Sequence, residues 1–264
     1  LGAVRRLGGV AVCPAAEHHA VLHCVEHVNG VVVRVNSVGT VDLEDLQRVL
    51  EAATEEQPIT VVSVMAVNNE IGVIQPLAAI GRLCRAKGAF FHTDCAQAYG
   101  KIPLDVEAMN IDLMSISGHK IYGPKGIGAL VIGPGVQLAP QLHGGSQEQG
   151  LRAGSLPVPL IVGLAKALEI ALADQAERAE RLAALRDRLW QRLQTLGGIH
   201  RNGAASPRLA HNLNVTVAGV DGTTLHRALR RHLAVSSGSA CSNGAIKINS
   251  VLTSARSDMV LIPE

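Results

Sequence analysis

Short apolar runs alternate with segments of helical periodicity from residue 10 onward, and this alternation restricts the fold more than any other feature of the chain. Residues 10–13, 31–35, 59–65 and 89–93 read as strands. Residues 17–28, 43–53 and 77–87 read as helices, the second with Asp42 as N-cap. Residues 1–7 read as the end of a helix that Gly8-Gly9 stops. Strand–helix alternation of this kind predicts an α/β fold, a mostly parallel sheet flanked by helices on both faces. Aromatics make up only 2% of the 264 residues, so the core rests on Val, Ile, Leu and Ala.

The stretch 115–126, Ser-Ile-Ser-Gly-His-Lys-Ile-Tyr-Gly-Pro-Lys-Gly, joins two apolar runs, 111–116 and 128–132, which read as short buried strands. Polar groups between core strands need partners. An exposed hairpin turn with a solvated lysine is the plainer reading of the same residues. The preceding segment favours a site. The strand at 89–93 leads into Asp94, with Gln97 three residues on. Open α/β sheets collect ligands at the carboxyl ends of their strands. An acid from one strand end and a lysine from another are what pyridoxal phosphate requires. The lysine binds the cofactor's aldehyde, and the acid keeps the pyridine nitrogen protonated.

His92-Thr93-Asp94-Cys95-Ala96-Gln97 and Ser117-Gly118-His119-Lys120 resemble the cysteine desulfurases, the NifS/IscS group of the class V aminotransferase superfamily of fold-type I enzymes. The resemblance runs from about Val10 to Leu252. It implies that Lys120 carries pyridoxal 5'-phosphate, that Asp94 pairs with its ring nitrogen and that Gln97 bonds its phenolic oxygen. Asn69 matches a cofactor-pocket asparagine, and its neighbour Asn68 reads as a residue that fixes the loop. His18 matches a histidine that stacks on the ring and moves protons on the substrate. Ser117 and His119 match phosphate-contacting positions. Ser155 stands where the family usually has threonine, at a position that reaches the phosphate of the neighbouring subunit, and so implies a homodimer with shared sites.

Cys241 is the candidate nucleophile. It follows Ser236-Ser237-Gly238-Ser239-Ala240, a run of small residues suited to an exposed, reactive thiolate. The long loop resembles the NifS/IscS-like branch rather than the shorter-looped SufS-like one. An incidental loop thiol is the plain alternative. Cys95, beside Asp94, reads as buried. Several other motifs have plain readings as well. Asp94 could cap a helix, and Lys125 lies in a Gly-Pro-Lys-Gly turn that lacks P-loop spacing. His19, His23 and His27 recur every four residues, which suits a solvated helix face or a metal site. No HExxH and no cysteine pair supports the metal.

After residue 132 the character changes. Residues 133–155 read as a long loop and 157–196 as a long helical stretch. Residues 211–217, 222–231 and 233–235 read as strand, helix and strand. The expected division is a large cofactor-binding domain over 1–175 and part of a smaller α+β domain over 176–264. Two family parts have no counterpart in the sequence. One is the Thr-rich turn and helix N-terminus that cradle the phosphate, expected before residue 1. The other is the arginine for the substrate carboxylate, expected after Leu252. Arg256 lies outside that context. On this reading the chain is a fragment, an incomplete gene product or a shortened paralogue.

A formal charge of +2 argues against nucleic acid as a direct partner, and no apolar run reaches membrane-spanning length. Five scattered cysteines without a CxxC pair suit a reducing compartment, the cytoplasm or an organellar matrix. The reaction implied by the resemblance converts L-cysteine to L-alanine and leaves a persulfide on Cys241. The expected partners are a second copy of the chain and a sulfur acceptor or iron–sulfur scaffold protein, with tRNA thiolation as another destination. Two alternatives stay open: another class V reaction, such as an aminotransferase or selenocysteine lyase, and a catalytically impaired chain that acts as a binding or dimerisation partner.

Overall fold

The protein is described by a computed structural model over residues 1–236. Val- and Ile-rich segments, whose branched side chains favour extended backbone, form most of a six-stranded sheet. Its strands are β1 (Val10–Pro14), β2 (Val31–Val33), β3 (Ile59–Ser63), β4 (Phe90–Asp94), β5 (Leu113–Ser117) and β6 (Gly128–Ile132). They are ordered β2-β1-β3-β4-β5-β6, the first five parallel and β6 antiparallel to β5. The sheet is therefore the mostly parallel one expected. β2 lies on one side of β1 and β3 on the other. The order of winding reverses there, and in open sheets such a switch point, beyond the carboxyl ends of the strands, is where ligands bind.

Every residue of β3 is buried, as a central strand covered on both faces must be. Strand alternation sorts the two layers. Val12 and Val62 face one side, where Leu46 of α3 (Leu43–Glu51) and Ile80 of α4 (Leu77–Ala86) join Phe91 in the main core. Ala11, Cys13 and Val61 face the other, against Ala3 of α1 (Gly2–Leu7) and Val25 of α2 (His19–His27). Leu46, Ile80 and Phe91 are fully buried, and each such side chain contributes about 1.5–3 kcal/mol. Asp42 caps α3 as expected, its Oδ1 accepting from the N–H groups of Glu44 at 3.1 Å and Asp45 at 3.0 Å. Such a cap is worth about 1 kcal/mol.

Four expectations need correction. The segment at 128–132 is a strand, but β6 is exposed along its length rather than buried. Among the described residues it is an edge strand paired with β5 alone. The long helix breaks at Asp174 into α5 (Val158–Ala173) and α6 (Gln175–Gln194). Arg178 takes the carbonyl of Ala171 at 2.7 Å and that of Gly100 at 2.9 Å, and it pairs with Asp174, which pins the break to the sheet domain. Of the strand expected at 211–217 only β8 (Val215–Val217) forms, antiparallel to an unexpected β7 (Ile199–Arg201). Residues 233–235 form no strand. A last helix, α7 (Gly222–Leu229), is capped by Asp221, which accepts from Thr224 N–H at 2.8 Å.

Candidate active site

The carboxyl ends of β1, β3, β4 and β5 bring the expected residues to one end of the sheet. Asp94 is the last residue of β4, in register with Ser115 of the parallel neighbour β5. Its carboxylate accepts from Ala96 N–H at 2.9 Å and so caps a turn, not an α-helix. Its carbonyl accepts from Ala66 N–H at 2.9 Å, which locks the end of β4 to the end of β3. Lys120 lies in a single 3-10 turn (Gly118–Ile121) directly after β5. The turn closes through Tyr122, which takes a left-handed conformation (φ 63°) and is 99% exposed. Lys120 is half-buried, and its amine has no hydrogen-bond or ion-pair partner among the described residues. Lys125, by contrast, is exposed.

Gln97 is paired with Lys101, a residue that the sequence reading missed. Lys101 donates from Nζ to Gln97 Oε1 at 2.9 Å. Burial, with Lys120 and Arg178 adding repulsion, lowers the Lys101 pKa to about 8. The spacing i, i+4 from Gln97 was the available signal. Ser117 Oγ and His119 Nδ1 bond each other at 3.0 Å beside the lysine. Ser155 is exposed in the loop before α5. Cys241 lies outside the described residues.

His18 caps α2, with Nδ1 accepting from Ala20 N–H at 3.2 Å. In the neutral ring this puts the proton on Nε2. His19, His23 and His27 are exposed along the same helix, the first two stacked with ring centroids 4.9 Å apart.

The loop after β3 supplies Asn69. Asn68 fixes it, as expected. Its Nδ2 donates to Ala16 O at 3.0 Å, and its Oδ1 accepts from Glu70 N–H at 2.9 Å and Ile71 N–H at 3.0 Å. A second clamp comes from residues read as strand. Asn212 and Asn214 both donate to Glu70 O, at 3.0 and 3.2 Å. Buried Arg208 orients Asn212 by a bond to its Oδ1 at 2.9 Å.

One acid at this end was also missed. Glu17, next to His18, is buried. Its Oε1 accepts from Met65 N–H, while Oε2 is buried without a partner. Three of the four described cysteines, Cys13, Cys84 and Cys95, are buried, and burial pushes each thiol up to about 12. They are poor thiolate nucleophiles.

An open α/β sheet with an acid and a lysine after adjacent parallel strands defines a class: a cofactor-binding transferase-type domain with its site at the strand ends. The aminotransferase class-V family matches residues 3–261, and the chain belongs to that family, whose enzymes use pyridoxal phosphate. Cysteine desulfurase IscS of Rickettsia rickettsii is 45% identical over 247 residues, 90% of this chain and 59% of that protein. The chain thus spans about three fifths of the relative's length. The X-ray structure of a NifS-like protein from Rickettsia africae superposes with a TM-score of 0.85 at 30% identity, covering 94% of this chain and 66% of that one. SspA, solved in complex with cysteine, has a TM-score of 0.74 at 32% identity, over 96% of this chain and 71% of its own.

The acid and the lysine at the strand ends fit the cofactor. Asp94 has no cationic partner among the described residues. A protonated ring nitrogen is the cation that Asp94 lacks.

Proposed function

We propose that this chain belongs to a pyridoxal-phosphate-dependent cysteine desulfurase of the NifS/IscS-like branch. The observation that carries the reading is that Asp94 ends β4 while Lys120 lies in the turn directly after the neighbouring parallel strand β5, with Lys101 bonded to Gln97 and close enough to Lys120 to feel its charge. Residues 1–175 are taken as the cofactor-binding domain and 176–264 as part of the small domain. The identity to an IscS desulfurase and the likeness to a structure holding cysteine support the substrate.

Pyridoxal phosphate, when bound, supplies an aldehyde for amines and a ring that accepts electrons. Lys120 Nζ would hold the aldehyde carbon, and its free amine would take the proton from the substrate Cα. Asp94 keeps a proton on the ring nitrogen, and Gln97 orients the phenolic oxygen. Asn69 lines the pocket, and Ser117 and His119 hold the phosphate. Ser155 reaches the phosphate of a second subunit, so the working unit is a homodimer. His18 moves a proton at the substrate from Nε2. The Cys241 thiolate attacks the substrate sulfur. The carbon–sulfur bond breaks, L-alanine leaves, and the sulfur stays on Cys241 as a persulfide for an iron–sulfur scaffold or another acceptor protein, in the cytoplasm or an organellar matrix.

The test is Cys241→Ala in the full-length protein. It is expected to retain bound cofactor and bind cysteine, yet to form no protein persulfide. Alanine and sulfide released by the variant at the wild-type rate would remove Cys241 from the mechanism. Transamination of cysteine without sulfur release by the wild type would favour an aminotransferase.

A further inference from the structure

Glu17 has no role in the chemistry described above, yet the fold has gone to some length to bury it. It is 6% exposed at the end of β1. Its Oε1 accepts from Met65 N–H, and the next amide along, Ala66 N–H, donates to Asp94 O at 2.9 Å. The side chain of one acid and the backbone of the other are thus held by consecutive amides at the end of β3. The groups facing Glu17 are Asp94 from β4, the Cys13 thiol of β1 and the backbone N–H of His18. No lysine, arginine or histidine pairs with it among the described residues. Oε2 has no hydrogen-bond partner of good geometry among the described residues, the His18 amide being the nearest donor besides Met65. A buried carboxylate in such a place lacks both a counter-charge and half of its hydrogen bonds, and a group so placed takes up a proton instead.

We propose that Glu17 is carried as the neutral carboxylic acid and acts as a positioning residue: Oε1 tethers the turn that presents His18 to the end of β3, and the proton removes a second negative charge from beside Asp94. Burial first, with the charge of Asp94 adding to it, pushes the Glu17 carboxyl well above the usual carboxylate range, against the pull of the Met65 and His18 amides. A single full charge then meets the ring nitrogen. That consequence rests on the role proposed for Asp94, whereas the protonation of Glu17 does not.

The experiment uses the full-length protein stripped of cofactor, so that it reads Glu17 whatever the ligand is. The infrared difference spectrum of wild type minus Glu17→Gln, in D2O near neutral pD, should show the C=O stretch of a protonated carboxylic acid. A carboxylate band in its place overturns the proposal. If Glu17→Gln does not fold, the wild type alone suffices. The acid band must be present at about pD 6, above the ordinary carboxylate range, and its absence there overturns the proposal. The positioning role is read from cofactor dissociation. Glutamine keeps the acceptor for Met65 N–H and cannot ionise, so Glu17→Gln should retain pyridoxal phosphate within about twofold of wild type, whereas Glu17→Ala should weaken it about tenfold. Equal retention by both variants, or equal loss, overturns that role.

Discussion

Asn68→Ala should damage both lips of the site at once. Asn68 is 1% exposed, and its amide bridges the β1–α2 connection and the loop that carries Asn69. Three hydrogen bonds to backbone go with it, to Ala16 O at 3.0 Å, from Glu70 N–H at 2.9 Å and from Ile71 N–H at 3.0 Å, besides a weaker one to Met65 Sδ at 3.5 Å. A made hydrogen bond nets about 1 kcal/mol, and a buried group left unpaired costs about 1–3 kcal/mol. Ala16 and Ile71 are buried, so two of the three orphaned groups incur that larger cost, while Glu70 is half-buried and water can serve its N–H. The sum is a loss of about 3–7 kcal/mol, a large share of the stability of an ordinary domain. Urea unfolding of the cofactor-free protein measures it. Asn68→Asp is the companion variant. It keeps the two acceptor contacts but loses the donor to Ala16 O and buries a charge, so it should be no better than alanine. A loss under about 1 kcal/mol for Asn68→Ala would refute the reasoning, because it would mean that the loop is held without this bridge.

Gly72→Ala should cost about 2–3 kcal/mol, measured in the same unfolding assay. Its φ is 70°, and an added Cβ would lie 2.4 Å from the Asn212 side chain, which would also break the clamp on Glu70. Lys101→Met tests the buried lysine through pH. The folded-state pKa of about 8 lies below the ordinary lysine value. Between about 8 and 10.4 the unfolded chain holds a proton that the folded chain lacks, so stability should rise with pH there, by at most about 1.4 kcal/mol per unit. Below that window the full burial cost stands. The methionine variant should lose this slope, and parallel curves for the two proteins would refute it.

What the sequence discloses about this fold follows from how local each feature is. The strand at 128–132 has the bounds expected of it, and the Asp42 cap forms, because strand propensity and capping are decided within a few residues. Asn68, the neighbour of Asn69, reads as the residue that fixes the loop, and two of its three side-chain bonds to backbone are to residues two and three positions on. Residues 211–214 failed for the opposite reason. Their alternation reads as a strand, but Asn212 and Asn214 spend their amides on a carbonyl more than 140 positions away. Glu17 was hidden because an acid before a helix reads as solvated. Only the arrival of β3 from 48 positions on, offering Met65 N–H, makes burial possible. The exposure of β6 is equally nonlocal, since an apolar run does not say whether anything packs against it.

The claim on which the account turns is that Lys120 holds the cofactor. Loading the full-length protein with pyridoxal phosphate, reducing it with borohydride and mapping the peptides by mass measures this directly. The account predicts a pyridoxyl group on the peptide that contains Lys120, and its loss in Lys120→Ala. A label on Lys101 or Lys125 instead, or none on a folded protein saturated with cofactor, would contradict it.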